Sequence, residues 1–417
     1  MLVIDSMLER KLEGLVPALA IVMPDGARLG PERTAVTIRL KELGALAHIA
    51  AGEVGKVAQD YVEDRLDFDG RVRDLMAIAT QMIASDPTQD MGGGATLNWW
   101  REIRQNARSR ARHQLQTDAQ QVQFHYDVSD AFYQLWLDPL RLYSCAYFRK
   151  PSMTLAQAQQ AKLDHICRKL MLRRGERFLD IGAGWGGLLL WAVEHYGVRG
   201  HGITLSRNQH EHVNALIETR GLAGRVTMEL CDHRELPEGE PYDKIASVGM
   251  FEHVGRAQLP EYFAKINRLL APGGLLMNHG ITAAGTRNHQ LGAGMGDFIE
   301  RYIFPGGELV HVSKVTEAMS EAQFEPLDLE NLRPHYARTL WAWSDALEAQ
   351  LAEAREMTSE RVVRAYRVYL AGSAMGFEQG WMSLFQMLAA KPSGRVTDGP
   401  MRGAQSQYPF NRGFLYD

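Results

Sequence analysis

The glycine-rich stretch RFLDIGAGWGGLLL covers residues 177–190 and contains the pattern most suggestive of ligand binding. A short apolar run ends near Asp180, Gly182 and Gly184 follow, and the next residues can begin a helix. Glycine lets a ligand approach the backbone closely because it has no side chain. In a doubly wound sheet, ligands lie beyond the carboxyl ends of the strands. The pattern therefore predicts a ligand at this turn, and a purely structural tight turn is the open alternative.

Polar residues beyond the next two strands indicate which ligand the turn suits. A nicotinamide dinucleotide needs an acidic residue for its ribose about 20 residues further on. Here the strand end offers Thr204 and Gln209 and no carboxylate, and the following strand ends near Asp232, where an adenine amino group could bind. S-adenosylmethionine carries no phosphate, so a backbone turn and scattered polar groups can hold it. The pattern favours S-adenosylmethionine.

Apolar runs alternate with helical runs between about residues 120 and 330, which predicts a parallel sheet with helices on both faces. The predicted strands are 177–182, 198–205, 225–230, 242–250 and 273–281. The predicted helices between them are 155–172, 187–196, 206–220 and 259–271. Three further helical runs are predicted at 339–357, 359–377 and 381–391.

The chain divides into four predicted regions. Residues 1–85 form a small mixed domain, and residues 86–120 form a linker and a basic helix. Residues 121–392 form the catalytic domain, and residues 393–417 form a tail. The basic helix begins with two tryptophans, which suits an anionic lipid surface, and a solvated interdomain helix is the alternative. Elements predicted in the first region are a strand at 34–40 and helices within 54–66 and 71–85.

Composition excludes several classes of protein. The 417 residues are 45% hydrophobic and 23% charged, and the net charge of −4 gives no reason to expect nucleic acid. Cys145, Cys167 and Cys231 have neither a disulfide framework nor zinc-ligand spacing, so we expect a cytoplasmic protein without a metal. The N-terminus does not have the order of a signal peptide, and no run of about 18 apolar residues predicts a membrane span.

Three longer motifs make a family resemblance specific. They are FHYDVSDAFYQLWLDPLRLYSCAYF at 124–148, GMFEHVG at 249–255 and FIERYIFPGGELV at 298–310. With the glycine turn, they resemble the cyclopropane-fatty-acyl-phospholipid synthase family over about residues 121–345. The resemblance implies a class I methyltransferase fold, which is an α/β doubly wound (Rossmann-like) sheet. It also implies helical C-terminal additions and a small mixed α/β N-terminal domain that binds lipid.

The resemblance implies a reaction. The methyl group of S-adenosylmethionine adds across a cis double bond in an acyl chain of a membrane phospholipid, a proton leaves the new methyl, and a cyclopropane ring closes. A bound bicarbonate accepts the proton, and its matching residues here are Cys145, Glu252, His279 and Tyr336. His279 is expected to donate to that anion and Glu252 to accept from it. The residues implied for the cofactor are Tyr143, Ser144, Asp180, Gly182, Gly184, Thr204, Gln209 and Asp232.

Several points stay open at this stage. A related acyl methyltransferase would give a methylene- or methyl-branched chain, and a non-catalytic lipid-binding protein is a more distant alternative. The family often carries Cys-Glu where this chain has Ala374 and Met375, which leaves acyl-chain choice open. By resemblance, the enzyme would visit the inner membrane surface and could form a homodimer. Candidate aromatic residues to stabilise a carbocation are Tyr126, Phe148, Tyr302, Phe304, Tyr336 and Trp343, and each could instead be an ordinary core residue.

Overall fold

The computed structural model describes most of the chain and contains two sheets. The described residues are 2–83, 86–88, 109, 130–286, 291–393 and 411–416. The predicted basic helix, most of the predicted linker and tail, and Tyr126 lie outside them. Within those ranges, no helix combines the length and the apolar character needed to cross a membrane.

The first sheet has four strands and lies near the N-terminus, in the order β2-β1-β3-β4. Its strands are β1 Leu19–Val22, β2 Arg28–Leu29, β3 Val36–Leu40 and β4 Leu66–Gly70. The helices around it are α1 Leu2–Glu13, α2 Gly44–Ala51, α3 Val54–Val62 and α4 Val72–Met82. The predicted strand at 34–40 is confirmed, because Val36, Ile38 and Leu40 alternate into the core. Both predicted helices of this region are also confirmed.

The second sheet has seven strands in the order β10-β11-β9-β8-β5-β6-β7. Its strands are β5 Arg177–Ile181, β6 Arg199–Thr204, β7 Val226–Leu230, β8 Tyr242–Val248, β9 Leu270–Ala283, β10 Glu325–Asn331 and β11 Met382–Ala390. Strands β5 to β9 run parallel, and β11 is antiparallel to both β9 and β10. The five predicted strands and the doubly wound arrangement are therefore confirmed, and β11 and β10 extend one edge of the sheet through antiparallel pairing.

Helices cover both faces of the second sheet. The helices of this part of the chain are α5 Asp130–Gln134, α6 Leu155–Lys169, α7 Gly187–Trp191, α8 Arg207–Thr219, α9 Leu259–Leu269, α10 Met295–Tyr302, α11 Val312–Glu321, α12 Arg333–Ala349, α13 Leu351–Met357 and α14 Glu360–Glu378. Helix α6 begins at a capping box, in which the side chains of Thr154 and Gln157 each bond to the other's backbone N–H. A π-helical turn, Ala192–Tyr196, continues α7. The four helices predicted between the strands are confirmed.

The helix predicted at 381–391 is wrong, because this segment forms strand β11. Its Met, Leu, Gln and Ala residues favour a helix locally. However, residues 382–390 pair with β9 along one edge and residues 385–390 pair with β10 along the other. Two sets of inter-strand hydrogen bonds, together with burial, outweigh local propensity. The pairing partners lie far away in the sequence, so the local pattern did not reveal β10 or β11.

The N-terminal sheet packs against the C-terminal helices around a shared hydrophobic core that includes Tyr336 and Trp343. Arg364 on α14 crosses this contact with a side chain that is only 9% exposed. Its Nη1 donates to the carbonyl of Tyr61 at 2.9 Å, and its Nη2 pairs with Asp67 at 3.0 Å. The N-terminal region is thus firmly attached to the helices that surround the candidate site, whereas the boundaries of the predicted domains stay predictions.

Candidate functional site

The glycine turn joins β5 to α7 in a conformation that requires glycine. Gly182 has φ +73° and Gly184 has φ +56°, both in the left-handed region that other residues rarely adopt. A Cβ atom at Gly182 would lie 3.0 Å from Cγ of Met250, closer than ordinary packing allows. The turn therefore keeps its backbone accessible beside the ends of β5 and β8.

A cavity of about 150 Å³ lies beside this turn, at the carboxyl ends of β5 and β6. All eight residues predicted for the cofactor contribute to its lining: Tyr143, Ser144, Asp180, Gly182, Gly184, Thr204, Gln209 and Asp232. We call this space the turn cavity. The structure thus brings together residues that are separated by up to 89 positions in the sequence (143 to 232), and their individual roles stay predictions.

The polar groups of the turn cavity are held in place by one another. Thr204 Oγ1 donates to Gln209 Oε1 at 2.8 Å, and both side chains are buried. Burial alone would raise the pKa of Asp232, but hydrogen bonds from Arg234 outweigh it and lower that pKa. Asp232 is therefore ionised near neutral pH and can accept hydrogen bonds from amino or hydroxyl groups of a ligand.

Lys162 also lines the turn cavity, and sequence reasoning missed it. Its Nζ donates to Ser144 Oγ at 2.7 Å, and burial lowers its pKa to about 8. Burial also raises the pKa of Asp180 to about 7, an effect that the charge of Lys162 opposes. A signal was available, because Lys162 lies next to Leu163 and Ile166 on the buried face of α6. A lysine among apolar residues at helical spacing is rarely buried without a partner.

A second and larger cavity, of about 620 Å³, adjoins the turn cavity. Four residues line both cavities: Tyr143, Ser144, Gly249 and His253. Most of the remaining lining is apolar and comes from α3, α4, α10, α12 and α14. We call this space the apolar cavity. All four residues predicted for catalysis, Cys145, Glu252, His279 and Tyr336, line it, so they lie around one space next to the predicted cofactor site.

Glu252 lies in a short 3₁₀ turn after β8 and is 8% exposed. Its Oε1 accepts the backbone N–H of Ile281 at 2.7 Å, and its buried Oε2 has no partner among the described residues. A side chain at position 280 would overlap the ring of Phe251 and lie 2.9 Å from Glu252 Oε1, so glycine at 280 permits this arrangement. Burial raises the pKa of Glu252 to about 7, although the Ile281 N–H opposes the shift. The carboxyl group can therefore gain or lose a proton near neutral pH.

His279 projects from β9 with only 1% of its surface exposed. Neither ring nitrogen has a hydrogen-bond partner within the described parts of the chain. Burial, reinforced by the charges of Lys162 and Lys169, lowers its pKa to about 3. The ring is therefore neutral and offers one N–H and one lone pair. Each unpartnered buried polar atom costs about 1–3 kcal/mol, so a small polar guest beside His279 would stabilise the site.

Cys145 and Tyr336 complete this group. The Cys145 thiol is fully buried, and its Sγ lies 3.9 Å from the carbonyl oxygen of Leu332. Burial raises the pKa of this thiol, so it stays protonated and is not a nucleophile. Tyr336 lies in the first turn of α12, with its ring centroid 4.8 Å from that of Phe377. Both residues can shape the site and donate hydrogen bonds without becoming charged.

The aromatic candidates divide into two groups. Phe304 and Tyr336 line the apolar cavity. Phe148, Tyr302 and Trp343 do not line it, because they pack or bond elsewhere; Tyr302, for example, donates to Glu63 at 2.6 Å. Aromatic residues that line the cavity without having been predicted to do so are Tyr61, Phe68, Tyr143, Phe298, Tyr369, Phe377 and Trp381. Their positions depend on how the N-terminal region and α14 pack, which no local pattern reports.

Comparison with known proteins gives a consistent family match. Residues 113–387 match the profile of the mycolic acid cyclopropane synthetase family. A probable fatty acid methyltransferase from Pseudomonas putida is 42% identical over 386 residues, which are 91% of this chain and 94% of that protein. Cyclopropane mycolic acid synthase 1 from Mycobacterium tuberculosis is 39% identical over 278 residues, which are 65% of this chain and 96% of that protein.

Solved structures extend this similarity to the fold. Mycolic acid cyclopropane synthase CmaA1, complexed with SAH and CTAB, matches at 37% identity with a TM-score of 0.62, over 66% of this chain and 98% of that one. Coclaurine N-methyltransferase, bound to N-methylheliamine and SAH, has a TM-score of 0.65 over 81% of this chain and 99% of that one. At 19% identity, the second similarity concerns the fold alone.

Proposed function

Because the chain belongs to the mycolic acid cyclopropane synthetase family and has the class I methyltransferase fold, we propose that it methylates unsaturated fatty acyl chains. The methyl donor is S-adenosylmethionine, the acyl chain belongs to a membrane phospholipid, and the product is a cyclopropane fatty acid. The observation that supports this most directly is the junction of the two cavities at Tyr143, Ser144, Gly249 and His253. A polar donor and an apolar acceptor would meet there.

The turn cavity suits S-adenosylmethionine. Gly182 and Gly184 leave the backbone accessible to the ligand, and Thr204 and Gln209 offer hydroxyl and amide groups to a ribose. The ionised Asp232 offers an acceptor for an adenine amino group. Tyr143 and Ser144 lie where the turn cavity meets the apolar cavity, so the reactive methyl end of the donor would lie at that junction.

The apolar cavity suits an acyl chain. Moving one methylene group from water into apolar surroundings contributes about 0.8 kcal/mol, so a lined cavity of about 620 Å³ can hold a chain by burial alone. Ala58 on α3 and Ala79 and Met82 on α4 are part of this lining. In the proposed function, the N-terminal region therefore forms one side of the acyl site. Since the substrate belongs to a bilayer, the enzyme would also have to contact the membrane surface.

The chemistry depends on position more than on acid or base strength. An alkene is a weak nucleophile, and good alignment with the sulfonium methyl can contribute about 7–11 kcal/mol. As the new carbon–carbon bond forms, the sulfur–methyl bond breaks and positive charge develops on the acyl chain. A proton then leaves the new methyl group, and the released electron pair closes the ring. The faces of Tyr143, Phe304 and Tyr369, which line the apolar cavity, could each stabilise the cation by about 0.5–2 kcal/mol.

The residues around Glu252 and His279 suit a small anion such as bicarbonate. Glu252 and His279 both line the apolar cavity, and Glu252 Oε2 and both ring nitrogens of His279 are buried and lack partners among the residues that the structure describes. Bicarbonate, when bound, would supply the proton acceptor. Glu252, His279, Tyr336 and Cys145 would hold it, and the apolar lining would exclude water that could otherwise attack the cation.

The proposed function has a direct test. The full-length protein is incubated with methyl-labelled S-adenosylmethionine and vesicles of a cis-unsaturated phospholipid, and the extracted fatty acids are analysed by mass spectrometry and proton NMR. We expect label in the lipid and the upfield proton signals of a cyclopropane ring, together with co-sedimentation of the protein and vesicles. Donor binding without labelled lipid would contradict the proposal and favour a non-catalytic lipid-binding protein.

A second candidate is an acyl methyltransferase that forms a branched chain. The relative from Pseudomonas putida, which covers 91% of this chain, is called a probable fatty acid methyltransferase. A methylene branch has the same mass as a cyclopropane, but its vinyl protons distinguish it in the same NMR spectrum, so one experiment decides between the two products.

Filling the N-terminal side of the apolar cavity should change acyl-chain preference. We expect Ala79→Trp to lower turnover of long acyl chains by about tenfold relative to short ones, since an overpacked site costs about 1–3 kcal/mol. Affinity for S-adenosylmethionine should not change, because Ala79 lies outside the turn cavity. The measurement compares turnover of phospholipids that differ in chain length.

The matched control is Ala77→Trp, which places the same side chain on the exposed face of the same helix. Turnover and chain preference should stay close to those of the unmodified protein. Equal behaviour of the Ala79→Trp and Ala77→Trp variants would refute a role for α4 in the acyl site.

A further inference from the structure

Three polar side chains occupy consecutive positions across strands β10, β11 and β9. Glu330 pairs with Gln386, and Gln386 pairs with His279. Directly paired residues on neighbouring strands project from the same face of a sheet, so these side chains form one row. The row begins at Glu330, whose side chain is 23% exposed, and ends at His279 on the apolar cavity. We call it the polar row.

The two inner members of the polar row are fully buried without partners. Gln386 has no exposed surface, and neither its amide nitrogen nor its amide oxygen is bonded to any described residue. The same holds for both ring nitrogens of His279. Buried amides and imidazoles are normally satisfied, by protein or by ordered water, because each unmet group costs about 1–3 kcal/mol. Neighbouring positions on one face make Gln386 and His279 the natural partners of each other, directly or through one water.

The outer end of the polar row has a fixed charge. Glu330 Oε2 lies 2.6 Å from Lys169 Nζ and 2.8 Å from His165 Nε2, both on α6, which packs over this face. Tyr147, which is stacked on His165, also bonds to Glu330. Burial would raise the pKa of Glu330, but the contacts with His165 and Lys169 lower it to about 2. Glu330 is thus a carboxylate, which accepts hydrogen bonds and cannot donate them.

Because the carboxylate of Glu330 can only accept hydrogen bonds, it determines which groups donate and which accept along the polar row. A Gln386 amide that pairs with both neighbours would therefore direct its NH₂ group toward Glu330 and leave its carbonyl oxygen toward His279. That oxygen can only accept a hydrogen bond, so the His279 nitrogen nearer to it must carry the proton. Since His279 is neutral, its other nitrogen has a lone pair and no proton.

We propose that Gln386 is a positioning residue for His279: it fixes the tautomer in which an unprotonated ring nitrogen faces the apolar cavity. His279 is then an acceptor at the site, which reverses the donor role expected from sequence. A neutral acceptor suits an anion that carries one O–H group, as bicarbonate does, and Tyr336 and backbone N–H groups remain as donors. The identity of that anion rests on the proposed function, whereas the tautomer does not.

The tautomer can be read without any turnover. The full-length protein is labelled with ¹⁵N-histidine, and the His279 resonances are identified by their absence from a His279→Gln variant. We expect a neutral ring with a single tautomer in the unmodified protein and a mixture of tautomers in Gln386→Met, which keeps the side-chain volume but removes the amide. Turnover in Gln386→Met should fall by roughly 10- to 100-fold, which is less than the 10²–10⁴-fold contributed by a positioned proton-transfer group itself, because Gln386 acts only through His279. The KM for S-adenosylmethionine should not change.

The matched control is Leu388→Met, on the same strand and the same face but in the next row, where Leu388 pairs with Met277. It should leave both the His279 spectrum and turnover unchanged. If Gln386→Met fails to fold, Gln386→Asn provides the same readout, because a shorter amide cannot span both neighbours.

Each outcome has a definite meaning. A mixture of tautomers in the unmodified protein, or the same single tautomer in the Gln386 variant, would overturn the inference. A tautomer that depends on Gln386 in a protein that methylates no lipid would support the inference and refute the proposed function.

Discussion

Replacing Glu252 with glutamine is expected to lower turnover by at least about 100-fold, in line with the 10²–10⁴-fold contribution of positioned proton-transfer groups. The affinity for S-adenosylmethionine should stay within about threefold of that of the unmodified protein. The reason is spatial. Glu252 lines the apolar cavity but not the turn cavity, and its buried Oε2 has no partner in the described part of the chain. Glutamine preserves the shape and can still accept from Ile281, but it cannot ionise. Turnover with saturating lipid and calorimetric titration with the donor measure the two effects separately.

The control for this substitution is Glu176→Gln. Glu176 is also a carboxylate whose pKa is raised by burial, but it lines neither cavity. The Glu176→Gln variant should keep full turnover. A loss of turnover in Glu252→Gln would then result from the place of Glu252 in the apolar cavity, and not merely from the removal of a desolvated carboxylate. Parallel losses of turnover and donor affinity in Glu252→Gln would show that the residue supports the fold of the turn cavity, contrary to the proposed role.

Replacing Gly182 with alanine is expected to have the opposite effect: a loss of affinity for S-adenosylmethionine with turnover largely retained at saturating donor. Alanine in the left-handed region costs roughly 1–2 kcal/mol, and its Cβ would lie 3.0 Å from Met250 Cγ, where the donor has to pass close to the backbone. We expect the dissociation constant for S-adenosylmethionine to rise by about 30-fold or more, which corresponds to about 2 kcal/mol. At saturating donor, turnover should recover in large part, because Glu252 and His279 are untouched.

Gly224→Ala is the matched control for backbone strain. Gly224 has φ +77°, nearly the same as Gly182, but a Cβ there meets no atom within 4 Å. In thermal unfolding, Gly224→Ala should lose stability through backbone strain alone, Gly182→Ala should lose at least as much, and only Gly182→Ala should lose donor affinity. If both variants bind the donor equally well, the turn does not contact it, and the structural tight-turn alternative is correct.

Local patterns in the sequence were sufficient for the central part of the fold. The alternation of apolar runs and helical runs predicted five parallel strands, because strand and helix periodicities are properties of neighbouring residues. The glycine turn was predictable for the same reason, since Gly182 follows directly after the strand that ends at Ile181. The motifs that contain Cys145 and Glu252, and the family resemblance that adds His279, identified residues that the fold then brings to one cavity.

Other features depended on contacts between distant segments. Strand β11 looked helical because its own residues do not reveal that β9 and β10 lie along its edges. The N-terminal side of the apolar cavity was not predictable from Ala58 or Ala79 alone, since both look like ordinary helix residues. Gln386 was assigned to a helix, and its place opposite His279 follows only from the strand register.

The sequence by itself determined the parallel core, the turn and the chemical groups around it, because these follow from short-range periodicity and from the side chains' own chemistry. Tertiary structure alone decided which of those chemical groups are buried from solvent, which are charged and which lie opposite one another. Burial gives Glu252 a pKa of about 7 and keeps His279 neutral, and a register spanning three strands connects His279 to Glu330. Desolvation and strand pairing act between residues far apart in the chain, so these properties exist only once the chain has folded.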